Sequence, residues 1–145
     1  MKYVGRKEKN KTYEVRKAIY VLIFNDNNEI VVLNVKNFGY ILPCENKDLP
    51  KDEIFKKISE EIGHELRDIK LQDKIGAYYH IKVDSEIIYC DVKADVYVAK
   101  VYESGNDETI DGHEIIWKKP EAIYEKMALD FQRDILETII RQGVS

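Results

Sequence analysis

Between residues 51 and 66 the chain reads Lys-Asp-Glu-Ile-Phe-Lys-Lys-Ile-Ser-Glu-Glu-Ile-Gly-His-Glu-Leu. Ile54, Phe55, Ile58 and Ile62 recur at one-turn spacing, and that apolar stripe predicts an amphipathic helix. Successive helical residues turn by about 100°, so Glu53, Lys57, Glu60 and Glu61 share the face beside the stripe. Asp52 and Glu53 occupy the first turn, where negative charge suits the helix dipole, and Pro50 precedes them. Gly63 follows the last stripe residue as a C-cap. Taken alone, the pattern describes a surface helix with a solvated charged face, on which Lys57 pairs with Glu53 and Glu61 four residues away.

Elsewhere the periodicity is that of strands. Residues 18–25 and 30–35 are rich in β-branched and aromatic side chains, and Asp26-Asn27-Asn28-Glu29 between them is a hairpin signal. Residues 74–83 and 87–101 read as longer strands around Asp84-Ser85-Glu86. A further strand is expected at His113-Glu114-Ile115-Ile116-Trp117, and Pro120 opens a helical stretch. Leu129, Leu136, Ile139 and Ile140 mark an amphipathic C-terminal helix.

Composition bounds this picture without changing it. The 145 residues suit one domain, residues 1–145, able to bury a real core. No apolar run approaches the roughly 20 residues needed to cross a membrane, so no membrane role is expected, and no signal-peptide pattern is present. Cys44 and Cys90 have neither metal-ligand spacing nor the numbers for a disulfide framework, which points to a reducing, cytoplasmic setting. Charge is uneven: residues 1–17 sum to +5 and the remainder to −9. Residues 1–12 read as a basic N-terminal arm, solvated and partly mobile. A basic arm suits phosphates, but no aromatic-interleaved basic patch is visible in the sequence, which argues against nucleic acid.

The 51–66 helix also resembles the Nudix box of MutT-like hydrolases, whose pattern is G-x5-E-x7-R-E-U-x-E-E-x-G-U with U a bulky apolar residue. Anchoring on Glu60-Glu61-Ile62-Gly63 places the R-E pair on Lys56-Lys57. Gly39-Tyr40-Ile41-Leu42-Pro43 resembles the short strand entering the box, with Cys44 and Glu45 where two glycines normally follow and a connection about three residues short. Counting back from Gly63 instead puts the pattern's first glutamate on Asp48, and whether Asp48 belongs to the site stays open. The resemblance spans roughly residues 13–141 and implies an α/β (α+β) fold, an α/β/α sandwich with a mixed β-sheet.

By resemblance, the chemistry is hydrolysis of nucleoside-diphosphate-linked compounds, an attack by water on an acid anhydride aided by Mg2+. Magnesium prefers hard oxygen ligands, hence several carboxylates on one helical face. Glu60 and Glu61 are the implied metal ligands; Glu53 and Glu114 join them as candidate catalytic residues. His113 and His80 are candidate proton carriers, and Trp117 and Tyr79 candidate surfaces for stacking a base. Lys57 falls where the family places a metal-binding glutamate, and an ammonium there repels a divalent cation. Lys56 keeps the charge of the family's arginine without its planar fork. The degenerate box thus implies weak or lost catalysis, with magnesium dispensable. The alternative is a non-catalytic module binding a nucleotide or phosphorylated metabolite, and a third is a scaffold for protein contacts.

Overall fold

A computed structural model describes residues 1–102 and 107–143. Among the described residues nine strands form one mixed sheet: β1 (Lys2–Val4), β2 (Tyr13–Phe24), β3 (Ile30–Val35), β4 (Gly39–Ile41), β5 (Cys44–Asn46), β6 (Arg67–Val83), β7 (Glu86–Lys100), β8 (Glu108–Ile110) and β9 (His113–Lys118). The main path runs β1-β6-β7-β2-β3-β9-β8, with β4 on β3 and β5 on β2. Helix α1 (Lys51–Ile62) lies on one face, while α3 (Asp130–Arg141), preceded by the short α2 (Pro120–Ile123), lies on the other. This is the expected three-layer arrangement.

The hydrophobic pattern explains the layering. Ile19 to Phe24 are all buried, an unbroken apolar run, because this part of β2 has a helix on each face. Ile19, Val21 and Ile23 pack with Ile54, Ile58 and Ile62 of α1, whereas Tyr20, Leu22 and Phe24 pack with Ile135, Leu136 and Ile139 of α3. The α1 stripe is buried as predicted at its three isoleucines. Phe55 is half-buried at the edge of the stripe, set edge-on to Tyr97 with ring centroids 5.1 Å apart.

Gly63 is the C-cap, with φ 75° in the left-handed region, and its N–H donates to the Ser59 carbonyl at 2.9 Å. A Cβ there would also stand 2.5 Å from Ile110 Cδ1, so glycine lets the β8–β9 hairpin approach the end of α1. At the other end of the site, Gln132 on α3 is buried and its Oε1 accepts the Leu42 N–H at 2.9 Å. That bond satisfies a donor just beyond the end of β4 and ties the chain leading into the box to the opposite helix.

Three features differ from the sequence reading. The N-terminal arm is not simply solvated: Lys2–Val4 form β1, parallel to β6 with Lys2 opposite Ile75. β6 begins at Arg67, well before residue 74, because its first half is an exposed, bulged stretch whose irregular pairing carries no alternation. Cys44–Asn46 form β5 against β2, Glu45 lying opposite Ile19. A three-residue strand is too short for periodicity to reveal.

Candidate functional site

The charged side of α1 faces a cleft of about 310 Å³ lined by Glu45, Lys57, Glu60, Glu61, Ile110, Asp111 and His113. Each element supplies its residues by strand or helix geometry. Lys57, Glu60 and Glu61 are one turn apart on α1. Glu45 projects from β5 on the α1 face of the sheet, because its neighbour Cys44 packs into the opposite core. His113 shares the parity of Ile115 and Trp117, both of which pack on the α1 side. The β8–β9 turn places Asp111 above them.

Glu61, like Glu45, is a half-buried acid of this group. Burial holds its carboxyl above the usual range, the charge of Glu45 adds to that rise, and His113 opposes it. Burial, with the charges of Glu45 and Glu61 behind it, also pushes the Cys44 thiol up to about 11. Cys44 therefore stays protonated at neutral pH and is no nucleophile.

The rise at Glu61 has a stability consequence. The folded chain holds the Glu61 proton more tightly than the unfolded chain, so the associated stability is lost as pH rises above 4.5 and through the folded value. Glu61→Gln removes this loss: its Tm should gain on the parent as pH rises above 4.5, with the gain closing again below. Thermal unfolding of both proteins between about pH 4 and pH 8 measures it. Parallel Tm profiles would contradict a desolvated Glu61.

Not every candidate reaches this cleft. Glu53 is exposed in the first turn of α1, about 10 Å along the axis from Glu60, and does not line it. Glu114 points to the opposite sheet face, where its Oε2 accepts the Asn34 side-chain N–H at 2.5 Å. Strand alternation is the reason, since Ile115 beside it is buried under α1. Asp48 is exposed before the helix and also lies outside the cleft lining. Neither aromatic candidate presents a free ring face here: Trp117 is buried with His64 edge-on at 5.7 Å, and Tyr79 stacks on Phe131 at 4.0 Å. His80 is exposed at the far end of β6, beside Tyr89.

The expected pairing of Lys57 is absent as well. Among the described residues Lys57 has no ion pair within 4.0 Å, with Glu53, Glu60 or Glu61 or with any other acid. Exposed ammonium and carboxylate groups attract weakly in water, and holding two long side chains together costs entropy. Sequence reasoning missed Glu45 and Asp111 entirely. Glu45 reads there only as a lost glycine, and no spacing connects either residue to α1.

The donor set does not fit the multi-carboxylate magnesium centre of the resemblance. Among the described residues no three His, Cys, Asp or Glu side chains converge to hold a metal ion. The charge of Glu45 raises the cost of ionising Glu61, yet the cation lining the same wall is Lys57.

No protein-family profile matches the sequence, and no curated protein is similar to it. Solved structures are similar over nearly the full length. The MutT protein of Methanosarcina mazei Go1 is 19% identical, with 94% of this chain and 100% of that chain covered and a TM-score of 0.58. The NUDIX domain of Shewanella oneidensis NrtR, solved in complex with ADP ribose, is 10% identical over 95% of this chain and 94% of that chain, with a TM-score of 0.64. The dihydroneopterin triphosphate pyrophosphohydrolase of E. coli is 11% identical over 90% and 99%, also with a TM-score of 0.64. At such identities the likeness is one of architecture, and it agrees with the mixed sheet and its flanking helices described above: the chain has the Nudix fold.

Proposed function

We propose that the protein derives from hydrolases of nucleoside-diphosphate-linked compounds and that its own hydrolysis of phosphate anhydrides is weak or lost. The observation that carries this reading is the position of Lys57, in the cleft wall with Glu45, Glu60 and Glu61 where a further carboxylate would recruit a divalent cation. A positive side chain there raises the cost of bringing a metal ion close, and without the ion an acidic cleft repels a diphosphate. Glu60 and Glu61 remain the residues to which any metal binding and residual catalysis are assigned. Glu53 and Glu114 lie too far round to join them. A reducing cytoplasmic setting belongs to the same proposal, in keeping with the free thiols of Cys44 and Cys90.

A panel of nucleoside diphosphate derivatives, ADP-ribose and nucleoside triphosphates among them, tests it in the presence of magnesium or manganese. Turnover should fall roughly a hundredfold or more below that of MutT assayed alongside, the scale of losing one electrostatic stabiliser from an active site. Titration calorimetry with magnesium should show no tight stoichiometric site. Turnover at the rate of MutT, or a tight site abolished by Glu60→Gln or Glu61→Gln, would overturn the proposal.

A silent binding module is the second reading, favoured by the likeness to a Nudix domain solved with ADP ribose. Saturable binding of ADP-ribose or another panel member without turnover distinguishes it from a slow enzyme. Neither binding nor turnover leaves the fold as a scaffold.

A further inference from the structure

Helix α1 covers only half of its sheet face. Beyond Ile19 the face continues through the first halves of β2 and β7 and the second half of β6, with no helix over it. Register places three rows there: Tyr13, Tyr89 and His80; then Val15, Asp91 and Tyr78; then Lys17, Lys93 and Gly76. Val15, in the middle row, is 54% exposed, while the Tyr13, Tyr78 and Tyr89 side chains around it are half-buried.

The rings form a continuous array. Tyr3 of β1 stacks on Tyr78 with centroids 4.6 Å apart, Tyr13 meets Tyr78 and Tyr89 edge-on at 5.5 and 5.6 Å, and His80 lies 5.8 Å from Tyr89. Glycine at 76 makes the array possible, because a Cβ there would stand 2.3 Å from the Tyr3 ring. Gly5 does the same for the strand that delivers Tyr3. Its φ is +78°, and a Cβ would stand 2.4 Å from the Tyr78 carbonyl oxygen.

Lysines border the array on both sides. Lys7 and Lys11 sit over the Tyr13 and Tyr89 rings, 5.6 and 5.3 Å from the centroids. Lys17 and Lys93 are paired neighbours at its inner end. The arm that crosses it, residues 5–12, carries Arg6, Lys7, Lys9 and Lys11 against Glu8 alone. It is pinned there by the Glu8 N–H donating to the Tyr13 hydroxyl at 2.8 Å. Burial and the nearby charge of Asp91 raise the Tyr3 hydroxyl, and the Oδ1 of this facing acid is buried with no hydrogen-bond partner among the described residues. The fold therefore interleaves aromatics and cations that are far apart in sequence, on a chain whose residues 18–145 sum to −9.

We infer that this helix-free half-face binds single-stranded nucleic acid, its bases on the Tyr13 and Tyr89 rings in place of the Lys7 and Lys11 ammonium groups that now lie over them, and its phosphates against those lysines and their neighbours. The part of each half-buried ring left to solvent is a surface on which any unpaired base can stack, while the lysines track the backbone. A duplex hides its base faces and matches only the charge. The site is separate from the α1 cleft and does not depend on the cleft's activity.

Fluorescence anisotropy with labelled rU12 and dT12 tests the inference on the full chain, with an abasic strand of equal charge and a 12-base-pair duplex as controls. Saturable binding is expected, about tenfold or more tighter for the base-containing strands than for the abasic strand or the duplex. The ribose and deoxyribose arms show which source of single strand is preferred. K7Q/K11Q should lower the slope of log affinity against log salt by about 1.4 in magnitude, at about 0.7 for each phosphate no longer neutralised. Tyr89→Leu should lose about tenfold for rU12 and dT12 with little change for the abasic strand. Thermal unfolding confirms that each variant is folded; if Tyr89→Leu fails that check, Tyr13→Leu provides the same readout. Equal affinity for abasic and base-containing strands, or no saturable binding to either oligonucleotide at about 0.1 M salt, would overturn the inference.

Discussion

Lys57→Glu should raise magnesium affinity about tenfold and bring back measurable hydrolysis. Reversing one charge about 6 Å from a divalent ion changes their interaction by about 3 kcal/mol in water, and screening at physiological salt reduces this to about 1.3 kcal/mol. That difference corresponds to about a factor of ten. The new carboxylate would join Glu60 and Glu61 on one helical face, putting an oxygen donor where the cleft wall now carries a cation. Full activity is not expected, because Cys44 and Glu45 still form a short strand where two glycines would leave the backbone free. Calorimetry with magnesium and the nucleotide panel, run on both proteins, gives the answer. Unchanged affinity in a folded variant would shift the cause from the lysine to the shortened β5–α1 connection.

Ile58→Ala should destabilise the protein by about 3 kcal/mol, within the usual cost of truncating a buried isoleucine. Ile58 is 1% exposed at the middle of the α1 stripe, so the cavity left behind cannot be filled by solvent or by a neighbour at the helix ends. For a chain of this size, Tm should fall by about 6–12 °C in a calorimetric scan. Phe55→Ala removes a larger side chain but a half-buried one, and its loss should be the smaller of the two. A shift below about 2 °C for Ile58→Ala would mean that α1 is not docked on the sheet as described.

The elements legible in the sequence are those long enough to show a period. α1, β9 and α3 repeat an apolar position and burial follows that repeat, while the β2–β3 hairpin shows as two unbroken apolar runs, both buried, around a turn signal. The box resemblance then oriented α1, and Lys57, Glu60 and Glu61 do line one cleft. What stayed illegible has a common physical cause. β1 and β5 span three residues each, too few for alternation, and the first half of β6 is exposed on both sides. Glu114 was a reasonable candidate by position, but its direction depends on which face of β9 the helix covers, and that is a tertiary fact.

The sequence by itself determined the local elements and the chemistry available on α1, because helical periodicity, capping and charge spacing act within a few residues. Tertiary structure alone decided which distant groups share a space. Glu45 enters the cleft because β5 pairs with Ile19 of β2. Lys57 stands without an ion pair among the described residues because solvent screens its neighbours. Tyr3, Tyr13, Tyr78 and Tyr89 form one surface because parallel pairing of β1 with β6 and of β2 with β7 aligns residues 73 and 76 positions apart, and no local pattern encodes which strands will be neighbours.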